Sequence, residues 1–361
     1  MSEGKGREFV LGYKEKELSI IIPVYNTEPY LRRCLDSVVS ATKRIKDRIE
    51  VLIINDGSTD GSPVIIEEYC NKYEHLVQYN KENGGLSDVK NYGLKYAQGR
   101  YVIFLDSDDY VDENMYDEML ETLHKENADV VVCDIELTYD DPKKNVIHSC
   151  TVQTRTGIFH QVIDMTMMPA SWNKIVKKEL YDGLSFPVGK NNEDVVVTPI
   201  VLARAKKIAV VNKPFYKYYQ REGSIQNSGF SEKRFVILDT AEICMQRLQD
   251  LDDDKVEQIK GSVYLHQILA LPMYPIRREP FKKRHSLLVK YMERVKQLFP
   301  DIWDIREIKE FVTWDTKWVQ WSRKVSIFML KHGWYFCLCV FWSICNVGYD
   351  CLKAIYDKIR N

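Results

Sequence analysis

The chain has 361 residues, more than one average domain, and 45% of them are hydrophobic, so a sizeable buried core is expected. Its 51 Lys and Arg nearly balance its 52 Asp and Glu, which excludes the global positive field of a nucleic-acid binder. Nine cysteines, an odd number with no CxxC pair, argue for reduced thiols in a cytosolic setting rather than a disulfide framework or a zinc site.

Residues 1–17, MSEGKGREFVLGYKEKE, hold no apolar run of the kind a signal peptide needs, so this N-terminal extension is expected to leave the chain on the side where it is made. From residue 18 strands and helices alternate. LSIIIPVY is an apolar, β-branched run, and EPYLRRCLDSVVSATKR follows with Leu31, Leu35, Val38 and Val39 at helical spacing and Pro29 in the first turn. EVLIIND then predicts a strand, SPVIIEEYCNKY a helix, LVQYN a strand, LSDVKNYGLKYAQ a helix and RYVIFLD a strand. DENMYDEMLETLHKEN and ADVVVCD add one more of each. Strands joined by crossover helices imply an α/β, Rossmann-like, mainly parallel sheet flanked by helices.

In open sheets of this kind ligands bind beyond the carboxyl ends of the strands. Four successive strand ends carry polar groups there: Tyr25 and Asn26, then Asp56, Gly57 and Ser58, then Asn83, Gly84 and Gly85, then Asp106, Ser107, Asp108 and Asp109. Like charges this close repel. A divalent cation such as Mg2+ or Mn2+, which takes one or two carboxylates and completes its shell with water and substrate phosphates, turns that repulsion into attraction. The plainer alternative is a strand terminator, with Asp109 or Asp112 capping the next helix.

The stretches SIIIPVYNTEPYLRRCLDSV, EVLIINDGSTDGS, NGGLSDVKNYGLKYAQGRYVIFLDSDDYVDENM, WNKIVKKEL and NEDVVVTPIVLARA occur in that order, and over about residues 18–225 the chain resembles the family 2 glycosyltransferases. The resemblance implies the GT-A fold and inverting transfer of a sugar from a nucleotide-diphosphate donor, UDP-linked by preference. It implies that Tyr25, in PVYN, lies against the nucleotide base, with Pro23 before it in the same donor-binding turn, and that Asp56 accepts a hydrogen bond from the base. Asp106 and Asp108 match the DxD motif, with Ser107 between them. Asp108 corresponds to the direct metal ligand, and Asp106 lies nearer the ribose and diphosphate. Asp194, in NEDV, matches the catalytic base, with Glu193 as its neighbouring alternative. Arg221 and Ser224, in YKYYQREGSIQN, match a segment that can fold over the diphosphate.

Each assignment has a competing structural use. Asp56 sits in DGSTDGS, which is turn chemistry in its own right. Gly84 and Gly85 permit positive φ, and secondarily let backbone approach a phosphate. Val89-Lys90-Asn91 stands where the family usually has Ala-Arg-Asn, so Lys90 keeps the charge of a diphosphate contact without the planar fork. Glu193 and Asp194 begin an apolar helix, where a cap or the helix dipole explains them as well as catalysis does. Trp172 offers either a platform for a sugar or a core ring.

Beyond the expected catalytic domain, 18–228, the pattern turns helical over 229–310. Between Ile276 and His332 there are 14 Lys/Arg against 7 Asp/Glu. Within the last segment, 311–361, Phe311, Trp314, Trp318, Trp321, Val325 and Phe328 form an aromatic stripe with Lys317, Arg323 and Lys324 between them. The uncharged run GWYFCLCVFWSICNVGY follows. At 17 residues it is short for a bilayer span, so the expectation is peripheral attachment at the inner face of the cell membrane, with helix packing as the alternative. The acceptor is then a saccharide or lipid-linked saccharide of surface polysaccharide or glycoconjugate biosynthesis. Two other readings remain: a haloacid-dehalogenase phosphatase using Asp106 as nucleophile, which would want Thr or Val where Tyr110 stands, and a sugar-binding descendant without turnover.

Overall fold

The computed structural model describes residues 16–148, 170–190, 192–220, 235–249, 251–304 and 317–345. They fall into two compact units. The first takes the chain as far as His148, then Ser171–Gly183 and Ala209–Tyr219; the second takes Leu184–Ile208 and the described residues beyond Gln220.

The first unit is built on one mixed sheet. Strands β1 (Leu18–Val24) and β2 (Ile49–Asp56) are buried along their whole length, as their unbroken apolar runs require when both faces of a sheet are covered. With β3 (Leu76–Lys81) and β4 (Tyr101–Phe104) they form the parallel half, in the order β3-β2-β1-β4. Helices α1 (Glu28–Thr42), α2 (Ser62–Lys72) and α3 (Leu86–Tyr96) are the crossovers. Pro29 opens α1, which buries Leu31, Cys34, Leu35 and Val38 at helical spacing. Because the four strands run the same way, Val24, Asp56, Lys81 and Phe104 all end at one edge.

Beyond β4 the sheet turns antiparallel. A two-residue strand, β5 (Tyr110–Val111), precedes α4 (Met115–Glu126), and β6 (Val130–Thr138) is followed by β7 (Val146–His148) and β8 (Lys174–Lys177). β8 lies between β4 and β6, antiparallel to both. The long β9 (Ile208–Tyr219) pairs antiparallel with β5, setting Val111 against Tyr216. Alternating strands and helices foretell the parallel half. The antiparallel half depends on β8 and β9, which come from far along the chain.

The second unit is helical. It holds α5 (Asp194–Arg204), α6 (Val236–Gln246), α7 (Asp253–Ser262), a π-helical stretch (Val263–Ala270), α8 (Leu271–Arg278), α9 (Phe281–Leu298) and α10 (Lys317–Lys331), with 335–345 also helical. Ile200, Leu238, Ile268, Leu288, Tyr291 and Leu338 belong to its shared core.

Candidate active site

At the rim of the parallel half, Tyr25 follows the last residue of β1 with 51% of its surface exposed. Asn26 takes a left-handed φ of 51°, which turns the chain there. Its Oδ1 accepts from Thr59 N (2.8 Å), its own N–H donates to Ser58 Oγ (3.1 Å), and Gly61 N donates to Glu28 Oε2 (2.7 Å). The β1–α1 and β2–α2 loops are thereby laced together beneath the exposed ring. Pro23, inside β1, is buried.

Asp56 ends β2 almost wholly buried. Its Oδ1 accepts from Lys81 Nζ (2.7 Å) and Gly84 N (2.9 Å), and its Oδ2 from Gly85 N (2.8 Å). Lys81 also pairs with Asp88 at 2.7 Å. Burial works against the Lys81 ammonium, but its bonds to Asp56 and Asp88 outweigh that and raise its pKa. Gly85 has φ 83°, a conformation that costs any residue with a Cβ. The carboxylate of Asp56 therefore folds the 82–85 loop onto the sheet, and it is Asp56, not a phosphate, that the Gly85 N–H meets.

The acidic turn follows β4. Leu105 N donates to Ile21 O (2.9 Å), holding the chain to β1, and Asp109 N donates to Asp106 O (3.1 Å), closing the turn. Within it Asp106 and Asp108 are half-buried, while Ser107 and Asp109 are buried. Ser107 Oγ accepts from Thr27 Oγ1 at 3.0 Å. Asp109 does not cap a helix: Tyr216 Oη donates to its Oδ2 (2.6 Å) and Tyr219 N to its Oδ1 (2.8 Å). The local turn before α4 is made by Asp112, whose Oδ1 accepts from Asn114 N at 3.0 Å. Arg33, on α1, donates from Nη2 to Asp108 O (2.9 Å), with its guanidinium carbon 4.1 Å from the Tyr219 ring centre and 4.7 Å from that of Tyr110.

These groups make a strongly negative spot. Burial, then the charges of Asp106 and Asp108, push the Asp109 carboxyl well above the usual carboxylate range, against its bonds from Tyr216 and Tyr219 N. Burial and the same three carboxylates hold the Cys34 thiol far above its ordinary value. Among the described residues no group of three or more His, Cys, Asp or Glu is arranged to hold a metal by itself. Two half-buried carboxylates on one turn are nonetheless the kind of oxygen donors that a hard divalent cation takes in nucleotide sites, so Asp106 and Asp108 fit such an ion.

Two residues expected at the ligand have other positions. Lys90 is buried, with Nζ 3.2 Å from Ser171 Oγ and 5.5 Å from the Phe104 ring centre. Trp172, with 6% exposure, stacks on Tyr216 (centroids 4.2 Å apart, planes at 23°) and on Tyr218 (5.4 Å, 28°). A sugar platform needs an open aromatic face; this ring instead backs the tyrosine that holds Asp109. Asp194 and Glu193 belong to the second unit. Asp194 is the first residue of α5, and Glu193, buried before it, makes no side-chain capping bond. Arg221 and Ser224 lie outside the described residues. Sequence reasoning missed Tyr216, Lys81 and Arg33. The YKYY tyrosines were a signal for the first, whereas nothing separated Arg33 from a solvent-facing helix residue.

The family model for glycosyl transferase family 2 matches residues 19–191. The chain is 30% identical over 228 residues to the glycosyltransferase GlyG of Streptococcus pneumoniae, covering 59% of this chain and 74% of that protein. It is 31% identical over 222 residues to the glycosyltransferase GlyA of the same organism, covering 58% of this chain but only 32% of that protein, about a third of its length. In fold it is similar to residues 1–349 of Staphylococcus aureus TarS, solved in complex with UDP-GlcNAc, with a TM-score of 0.66, 20% identity and 92% of each chain covered.

Proposed function

Because the chain belongs to glycosyltransferase family 2 and is a transferase, we propose that it moves a sugar, with inversion, from a nucleotide-diphosphate sugar to an acceptor hydroxyl. The observation that carries this reading is the Asp106–Asp109 turn, fixed at the carboxyl end of β4 by Tyr216 and Arg33, on the same sheet edge as the exposed Tyr25. A UDP-linked donor is supported by the likeness to TarS, which binds UDP-GlcNAc. Tyr25 packs against the base, with Pro23 beneath it, and Asp56 shapes the adjoining 82–85 loop.

Asp108 and Asp106 would hold a Mn2+ or Mg2+ ion, which when bound supplies positive charge against the departing diphosphate. Arg33 keeps Asp108 in register through its backbone carbonyl. Asp194, or Glu193 beside it, takes the proton of the acceptor hydroxyl as that oxygen attacks the anomeric carbon from the face opposite the leaving group. The acceptor is a saccharide or a lipid-linked saccharide, as in the building of surface polysaccharides.

A thermal-shift screen of nucleotide sugars with manganese tests the reading, since a donor that binds the folded state raises the melting temperature. A UDP-sugar that stabilises the protein and is turned over supports transfer. Stabilisation without turnover on any acceptor would favour a sugar-binding protein, and no response to any nucleotide sugar would overturn the assignment.

A further inference from the structure

Residues 317–345 contain four Lys or Arg and no Asp or Glu. Their inward side is ordinary, with Leu330, Leu338, Cys339 and Trp342 buried in the core of the second unit. Their outward side is not. On α10 the exposed residues Trp321, Lys324, Phe328 and Lys331 fall three, four and three positions apart, one helical face on which ring and ammonium alternate. On the next helix the exposed residues are Phe336, Cys337, Val340 and Ile344, a face without a polar side chain on which Phe336 is 60% and Ile344 66% exposed. Trp334, half exposed, stands between the two helices, its ring centre 5.5 Å from that of Phe328.

Scattered apolar residues on a surface are normal, but a contiguous exposed apolar face marks a surface that meets something. Charge decides what. A second copy docked through the same face would bring lysines towards lysines, with no acidic residue in the stretch to answer them. An anionic lipid surface answers them directly: lysines reach the phosphates, tryptophans sit at headgroup level and the apolar face enters the acyl boundary. Spanning is a different matter, since among the described residues no helix is long and apolar enough to cross a membrane.

We propose that the exposed face of 317–345 lies in the interface of an anionic membrane. The inference goes beyond the donor chemistry and does not depend on it. The test is sedimentation of the full chain with vesicles of phosphatidylcholine alone and of phosphatidylcholine with phosphatidylglycerol, at low and high salt. The expected result is pelleting with the anionic vesicles only, partly released by high salt. Lys324→Glu and Lys331→Glu each lower partitioning by roughly fivefold or more. Ile344→Glu abolishes it, while leaving the melting temperature as in the wild type. Equal behaviour with both vesicle types would overturn the proposal. So would a dimer in size-exclusion chromatography that Ile344→Glu splits, which would assign the face to a second copy.

Discussion

The Tyr216 hydroxyl joins the two ends of one turn: it donates to Asp109 Oδ2 over 2.6 Å and accepts from Asp106 N over 3.4 Å. Tyr216 is fully buried and stacked on Trp172, so the position of this oxygen is set by the packing of β9 against the rest of the sheet. The backbone that presents Asp106 and Asp108 is held from behind.

Tyr216→Phe removes that oxygen and little else. The protein should still fold, while its affinity for UDP with manganese falls by roughly 10- to 100-fold, the usual effect of losing a group that orients metal ligands. Binding of uridine, which has no diphosphate, should not change. Calorimetry of both ligands on the variant distinguishes this from general loosening, which would weaken both.

Asp194→Asn should keep donor binding and lower turnover by roughly 10² to 10⁴, the typical contribution of a general base. Steady-state rates with a working acceptor, beside a melting curve, check it. A variant that melts early with normal specific activity would make Asp194 a helix-start residue and move the role to Glu193.

Gly85→Ala should destabilise the first unit by about 1–2 kcal/mol, because φ 83° is hostile to a Cβ. It should also weaken UDP binding, because the Gly85 N–H is one of the donors holding Asp56. Gly183→Ala supplies the control. Gly183 also has positive φ (72°) and open space around it, so urea denaturation should show a similar cost with UDP affinity intact.

Glu136 accepts from Lys217 Nζ (2.7 Å) and from Asn145 Nδ2 (3.1 Å), and the lysine bond is the main reason its carboxyl is held below its ordinary value. A depressed folded-state pKa gives stability that is present above the unfolded value and lost as pH falls through the folded one. Glu136→Gln should therefore cost about 1 kcal/mol at neutral pH. The gap to wild type should close as pH is lowered from about 4.5, the ordinary glutamate range. Urea midpoints at several pH values measure it.

The parallel half of the fold was legible because its signals are local. Apolar runs such as LSIIIPV and EVLIIND, punctuated by turn residues, fix the strands, and parallel order then puts Tyr25, Asp56, Gly85 and Asp106 on one edge. What could not be read was set by distant partners. Nothing in YVIFLDSDDY says that Asp109 turns back to a tyrosine 107 positions later, or that Lys90 is buried against Ser171, because both follow from where β8 and β9 join the sheet. Trp172 was ambiguous for the same reason, since its role depends on whether Tyr216 covers its face.

The central claim is that Asp106 and Asp108 serve a cation that brings the nucleotide diphosphate to the rim. It is tested most directly by titrating UDP calorimetrically into the wild type and Asp108→Asn, each with manganese and with EDTA. The account predicts binding by the wild type with manganese, and a large loss either when the metal is chelated or when Asp108 is changed, the two losses not adding because they remove the same interaction. Equal UDP affinity with EDTA and with manganese would contradict it.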